Sequence, residues 1–398
     1  MTKKKIIIIL LILIFIVGIA IGVLFFTLHN KESYDELITI DKIEVREKNI
    51  EVYSKVKLSE IVSLHNGIKL LEDYEIDTDK VGKIKLLVDY SEEEKDKKGY
   101  VEVNIVDTTP PYIGVGNYYN HIINTNFTFN TDIICKDNYD KITKCEIIGD
   151  YNLDKLGDNN VKVVAIDSSK NKTERDLVIR VVEKSNKTSK PVYKKLEEIE
   201  VPENASIMID VSKWQEDIDW KKVKESGIDY AMMRLGTQKG IDKESVLDSY
   251  FEKNIKEARE NGVKVGVYYY SYANDIEDAK KQAEWVVEQL KDYELDLPVA
   301  FDWECFRYLN DFEMSLHDFN EMGTTFLKII EKNGYKAINY GSKNYLEKIW
   351  NIEGYDTWLA HYTDKTTYSK NYIMWQFTDK GLVPGIKGAV DLNFYYNK

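Results

Sequence analysis

Pro298-Val-Ala-Phe-Asp-Trp-Glu304 reads as a buried strand that ends in two carboxyl groups. Residues i and i+2 of a strand point to the same side, so Asp302 and Glu304 share one face with Cα atoms about 6.5 Å apart. Trp303 and Cys305 take the opposite face, toward a helix layer, which makes Cys305 a packed thiol rather than a nucleophile. Like charges held that close raise one of the two pKa values. A carboxyl group kept protonated near neutral pH is what general-acid catalysis requires.

Around this strand the chain alternates strand and helix. Candidate strands are Ile207–Val211, Asp229–Arg234, Val263–Tyr269, Pro298–Trp303, Ala337–Tyr340, Thr357–His361, Tyr372–Phe377 and Ala389–Asn393. Between them, Asn274 to Tyr293 and Ser315 to Asn333 carry apolar residues at helical spacing, and Gly334 follows the second as a stop signal. Eight strands with crossover helices predict a TIM-like α/β barrel. The connections after His361 and Phe377 are about ten residues, short of the dozen or more a helical crossover needs. The barrel should therefore be irregular there. Such barrels place their chemistry at the C-terminal strand ends, which here read Asp210, Arg234, Tyr268 to Tyr270, Asp302 with Glu304, Tyr340, His361, Gln376 and Asp391.

Five segments fall in one order: Asp210-Val-Ser-Lys-Trp-Gln215, Gly266-Val-Tyr-Tyr-Tyr270, Pro298 to Glu304, Trp375-Gln-Phe-Thr378 and Gly388-Ala-Val-Asp-Leu-Asn393. As a set they resemble the glycoside hydrolase family 25 lysozymes, the N-acetylmuramidases, over residues 207–398. The resemblance implies a flattened, incomplete β/α barrel. It implies cleavage of the β-1,4 bond between N-acetylmuramic acid and N-acetylglucosamine in peptidoglycan, without a cofactor. It makes Glu304 the proton donor and sets Asp302 beside it to orient or stabilise the sugar's acetamido group. Asp210 and Asp391 match the other two acidic positions, and Tyr268, Tyr270, Tyr340, Trp375 and Gln376 would line the sugar groove. Arg234 stands at a strand end where the family often carries Arg, whereas Tyr269 replaces a frequent His. Inverting, covalent and acetamido-assisted routes all remain open on spacing alone; the resemblance favours the last.

Upstream of the barrel domain (204–398), residues 185–203 are polar, carry Pro191 and Pro202, and read as a linker. Residues 36–107 and 108–184 read as short strands and share a layout. Thr78-Asp-Lys-Val-Gly82 with Ile84 to Asp89 matches Leu153-Asp-Lys-Leu-Gly157 with Val161 to Ile166. With the Asp107-Thr-Thr-Pro-Pro111 junction, the two units resemble bacterial immunoglobulin-like surface modules. They are expected to act as all-β sandwiches forming a rigid spacer. Cys135 and Cys145 are expected to bridge within the second, with two free thiols as the alternative.

The chain opens with Lys3, Lys4 and Lys5 and an uncharged apolar run from Ile6 to Leu28. The run is long enough to span a bilayer core of about 30 Å. It is too long for a cleaved signal and ends without a small-residue cleavage site. Residues 6–28 are expected to be a single-pass signal anchor at the cell membrane, with residues 1–5 cytoplasmic and the bulk of the chain extracellular. The full expectation is multidomain: a transmembrane helix, two all-β immunoglobulin-like sandwiches and a C-terminal irregular α/β (TIM-like) barrel.

A net charge of −13 argues against nucleic-acid binding. The five His are scattered and no Cys-x-x-Cys occurs, so no metal site is expected. The expected partners are peptidoglycan glycan strands and, through the N-terminal helix, the membrane. The competing reading is a catalytically weak protein that binds wall glycan or serves as an adhesin.

Overall fold

The computed structural model describes residues 43–127, 133–183, 190–304, 308–350 and 352–396 of the chain. The expected anchor at 6–28 lies outside the described residues. Among the described residues no helix is long and apolar enough to cross a membrane. The chain divides into two compact units, residues 1–108 and 109–398.

The first unit is β-rich. Gly82–Glu92 and Lys95–Val106 form a long antiparallel hairpin, flanked by Ile68–Leu70 on one side and by the parallel strand Asn49–Glu51 on the other. The hairpin turns at Glu93-Glu94, both with positive φ, as a two-residue turn that follows strand twist requires. Inward residues alternate along it, with Leu86, Val88, Val101, Val103 and Ile105 buried.

The second unit begins with the same plan. Gly157–Ile166 and Lys172–Val182 form the long hairpin, Lys144–Ile148 joins one edge, and Tyr118–Ile122 runs parallel to the other. A smaller antiparallel pair, Tyr112–Gly114 with Ile134–Lys136, supplies Ile113 and Cys135 to a core with Ile133, Val161, Val163, Ala165, Leu177 and Ile179. The matching hairpins account for the internal repeat. Cys135 is disulfide-bonded to Cys145, while Cys305 lies outside the described residues.

The rest of the second unit is a closed eight-stranded barrel. Its strands are β1 (Ala205–Val211), β2 (Tyr230–Gln238), β3 (Lys264–Ser271), β4 (Val299–Trp303), β5 (Ala337–Ser342), β6 (Asp356–Ala360), β7 (Met374–Leu382) and β8 (Val390–Tyr396). All eight expected strands are present. β1 to β7 are parallel, and β8 closes the barrel by pairing antiparallel to both β1 and β7. Among the described residues no helix follows β6 or β7; residues 383–389, which join β7 to β8, are too few for a helical crossover, whereas residues 361–373 after β6 reach that length and still carry no helix. In the expected linker, Lys194–Lys195 pairs with β7.

The helices are α1 (Trp220–Glu225), α2 (Phe251–Glu260), α3 (Ile276–Leu290), α4 (Leu316–Lys332) and α5 (Lys343–Lys348). Ser315 caps α4 by accepting from the Asp318 amide. Asp275 caps α3 by accepting from the Asp278 amide. Strand parity sorts the core into two layers. Ile209, Ala231, Met233, Val265, Val267, Val299, Phe301 and Trp303 point outward into the helices. Met208, Met232, Ala300, Ile338, Trp358 and Met374 fill the barrel interior. Gly266 belongs to that interior: a Cβ there would stand 2.6 Å from Leu297 and 2.7 Å from Met232.

Candidate active site

The inner layer continues upward by two residues on each strand, and there its chemistry changes. Above Met208 comes Asp210; above Met232, Arg234; above Ala300, Asp302; above Ile338, Tyr340; above Met374, Gln376. With Tyr268 and Tyr270 of β3, Glu304 just past β4 and Asp391 of β8, these residues line one recess of about 260 Å³. Asp391 sits near the start of its strand, not its end. It reaches the same rim because β8 runs antiparallel, which places it opposite Asp210.

The carboxyl groups are wired to different partners. Asp210 Oδ2 accepts from Asn393 Nδ2 at 2.8 Å and from Gln376 Nε2 at 3.0 Å. Burial raises its pKa, and the amides of Asn393 and Gln376 and a bond from Asp391 pull it back. Burial and the negative charges of Asp210 and Asp379 push Asp391 to about 9. The Asp391–Asp210 pair therefore shares a proton near neutral pH.

Asp302 is raised well above the usual carboxylate range, first by burial and then by the charges of Glu304 and Asp210. Among the described residues its buried Oδ1 has no hydrogen-bond partner, so it is an acceptor waiting in the recess. Glu304 stands at the open rim, yet its carboxyl group is recessed between protein walls. That desolvation and the charge of Asp210 raise its pKa, while the Tyr340 hydroxyl, 3.1 Å from Oε1, holds it down. The sequence suggested that Asp302 tunes Glu304; in the structure the recess itself and Asp210 have that part, and Asp302 is the more strongly raised of the two.

Tyr340 also lies 3.1 Å from Gln376 Oε1, which accepts from Tyr362 at 3.0 Å. A hydroxyl has one proton, so Tyr340 donates to Glu304 or to Gln376 at any moment. Burial and the surrounding carboxylates raise the pKa of Tyr268, Tyr340 and Tyr362, keeping all three phenols as neutral donors. Trp358 lies beneath, edge-to-face with Tyr268 and Tyr340.

Arg234 is clamped by Asp248, with Nε to Oδ2 at 2.7 Å and Nη2 to Oδ2 at 2.6 Å. It acts as fixed positive charge that counters the raised pKa of Asp302. Trp375 departs from the expected set. It neighbours Gln376 on β7, so parity turns it outward; its ring meets Phe377 and Phe394, and its Nε1 donates to the His361 carbonyl. Gln376 lines the recess and Trp375 does not.

Sequence reasoning missed five residues. Asn393 stands two positions after Asp391 on β8, and that spacing could have flagged it. Trp214 lies inside the Asp210-to-Gln215 motif. Ser212 and Gln215 form a capping box around the turn Lys213–Gln215, which presents the Trp214 ring 74% exposed at the rim. Asp248, Trp358 and Tyr362 carry no local signal. Past Glu304, Tyr340 and Tyr362 the groove continues into a second recess of about 400 Å³, lined also by Ser342, Lys343, Asn344 and His361. A long open groove with neutral hydroxyl donors, a rim tryptophan and a central carboxyl group suits an extended sugar chain.

Residues 209–386 match the glycosyl hydrolases family 25. The protein YegX of Escherichia coli strain K12 is 30% identical over 205 residues, which is 50% of this chain and 72% of that one. The autolytic lysozyme of Clostridium acetobutylicum is 26% identical over 188 residues, 46% of this chain and 54% of that one. Among solved structures, a family 25 glycosyl hydrolase from Bacillus anthracis superposes with a TM-score of 0.43 and 21% identity, covering 53% of this chain and 95% of that one.

Proposed function

Since the chain belongs to glycosyl hydrolase family 25, and so to the lysozyme-like hydrolases of peptidoglycan, we propose that it cuts the β-1,4 bond from N-acetylmuramic acid to N-acetylglucosamine while tethered to the cell membrane. The observation that carries this reading is Glu304: a carboxyl group with a raised pKa, hydrogen-bonded to Tyr340, at the midpoint of an open groove.

In the proposed mechanism, protonated Glu304 donates to the glycosidic oxygen as the bond breaks. Asp302 offers its unpartnered Oδ1 to the acetamido N–H of the muramoyl sugar. That contact would align the acetamido oxygen for attack on the anomeric carbon. The Asp391–Asp210 pair, with Asn393 and Gln376, keeps the floor of the recess rigid. Deprotonated Glu304 then serves as base for the incoming water. The tether follows from Ile6 to Leu28 alone, and it would hold the enzyme outside the cell beside its polymer.

Muropeptide mass spectrometry after digestion of purified walls tests the assignment. A new muramic-acid reducing end is expected. A glucosamine reducing end, or no new end at all, would overturn it.

A further inference from the structure

The second β module was expected to be a spacer, but it is joined to the barrel by buried contacts within a single compact unit. Lys136 is only 2% exposed. Its Nζ donates to Phe312 O at 2.6 Å, Met314 O at 3.1 Å and Lys141 O at 3.1 Å. Three carbonyls meet all three protons of the ammonium, as a buried cation requires. Burial lowers its pKa to about 8, against the pull of Asp311, Asp318 and Glu313.

Asn310 reaches back the other way. It accepts from the Cys135 amide at 3.1 Å and donates to Ile133 O at 2.7 Å, copying the pairing of a strand. The Leu316 amide at the start of α4 donates to Asp137 O at 2.7 Å. Tyr112 and Ile134 of the module pack against the barrel's outer core. The segment so gripped, Tyr308–Leu316, presents Phe312 edge-on to Trp303. Trp303 is the residue between Asp302 and Glu304.

We propose that the second β module is a working part of the active site: Lys136 and Asn310 brace the segment after β4, and through Phe312 and Trp303 this brace positions Asp302 and Glu304. Lys136 and Asn310 are positioning residues. Neither lines the groove, so neither touches substrate. A misplacement of about 1 Å at reacting groups can cost a hundredfold in rate, so a loosened brace should be read in turnover rather than in binding. This inference rests on the muramidase reading above.

The test uses the full chain in detergent, with kcat and KM measured at about 25 °C on soluble uncrosslinked peptidoglycan strands. Lys136→Met leaves three carbonyls without a donor, and kcat should fall about tenfold with KM changed less than about twofold. Asn310→Asp is nearly isosteric, and exchanges the bond to Ile133 O for repulsion between a carboxylate and that carbonyl. It should fold and lower kcat about threefold, so it decides the matter if Lys136→Met does not fold. A purely structural role predicts a lower melting temperature with wild-type kcat at the assay temperature; that result in the folded variants overturns the brace alone. A wild-type protein without turnover overturns the proposed function and the brace together.

Discussion

Glu304 and Asp391 are both carboxyl groups with raised pKa, and they differ in what surrounds the proton. Glu304 faces the open groove, so its proton can leave for a substrate oxygen. Asp391 faces Asp210, and its proton is held there. Glu304→Gln keeps the size and loses the transferable proton. Wall-clearing turnover should drop by about 10²–10⁴-fold while glycan pull-down persists; retention of more than about a tenth of the activity would move the acid to another residue. Asp391 makes a prediction about stability. With a folded pKa of about 9 against about 3.9 unfolded, the native state binds the extra proton between those limits. Its contribution therefore costs stability as pH rises from about 4 to about 9, by at most about 1.4 kcal/mol per unit. Asp391→Asn keeps the donor to Asp210 and removes the titration. Thermal unfolding should show the variant gaining on wild type between about pH 5 and 8; identical slopes would refute the shared proton.

At the scale of elements, strand parity decides which residues meet. Asp210, Arg234, Asp302, Tyr340 and Gln376 share the inward phase one step above an apolar layer. Trp375 has the opposite phase and joins the outer core. The antiparallel sense of β8 brings Asp391 to the rim, and the short loop after β7, residues 383–389, suits such an antiparallel closure. In the second module, the Cys135–Cys145 bond closes a loop of sequence separation 10 beside the Lys136 contact. Thiol titration of the denatured, unreduced chain should find one thiol, that of Cys305; three would mean the bridge does not form. Replacing both bridged cysteines by serine should lower stability by roughly 2–4 kcal/mol.

For the whole molecule, the proposed arrangement is an anchored hydrolase. Residues 6–28 are expected to stay on the mature protein, so immunoblots of fractionated cells should find the full-length chain with the membranes. Release of a form starting near residue 30 into the medium would defeat the anchor. The second β module does not serve as spacer alone, since its edge is spliced to the segment that follows β4.

Period and spacing in the chain were enough to determine eight strands, two long helices, a barrel that must lose its late helices, and the carboxyl groups of the site. Those properties are local: alternation of apolar residues, caps, loop length and the i, i+2 step from Asp302 to Glu304. The tertiary structure decided the rest. Which phase of β7 faces inward depends on its neighbours, so Gln376 rather than Trp375 meets the groove. Asp248, Trp358 and Tyr362 come from distant loops and strands, and no spacing rule links them to Glu304. The proton order among four carboxyl groups depends on burial and on their mutual distances. The grip of Lys136 on Phe312 joins residues 176 apart in sequence, and only the folded chain brings them together.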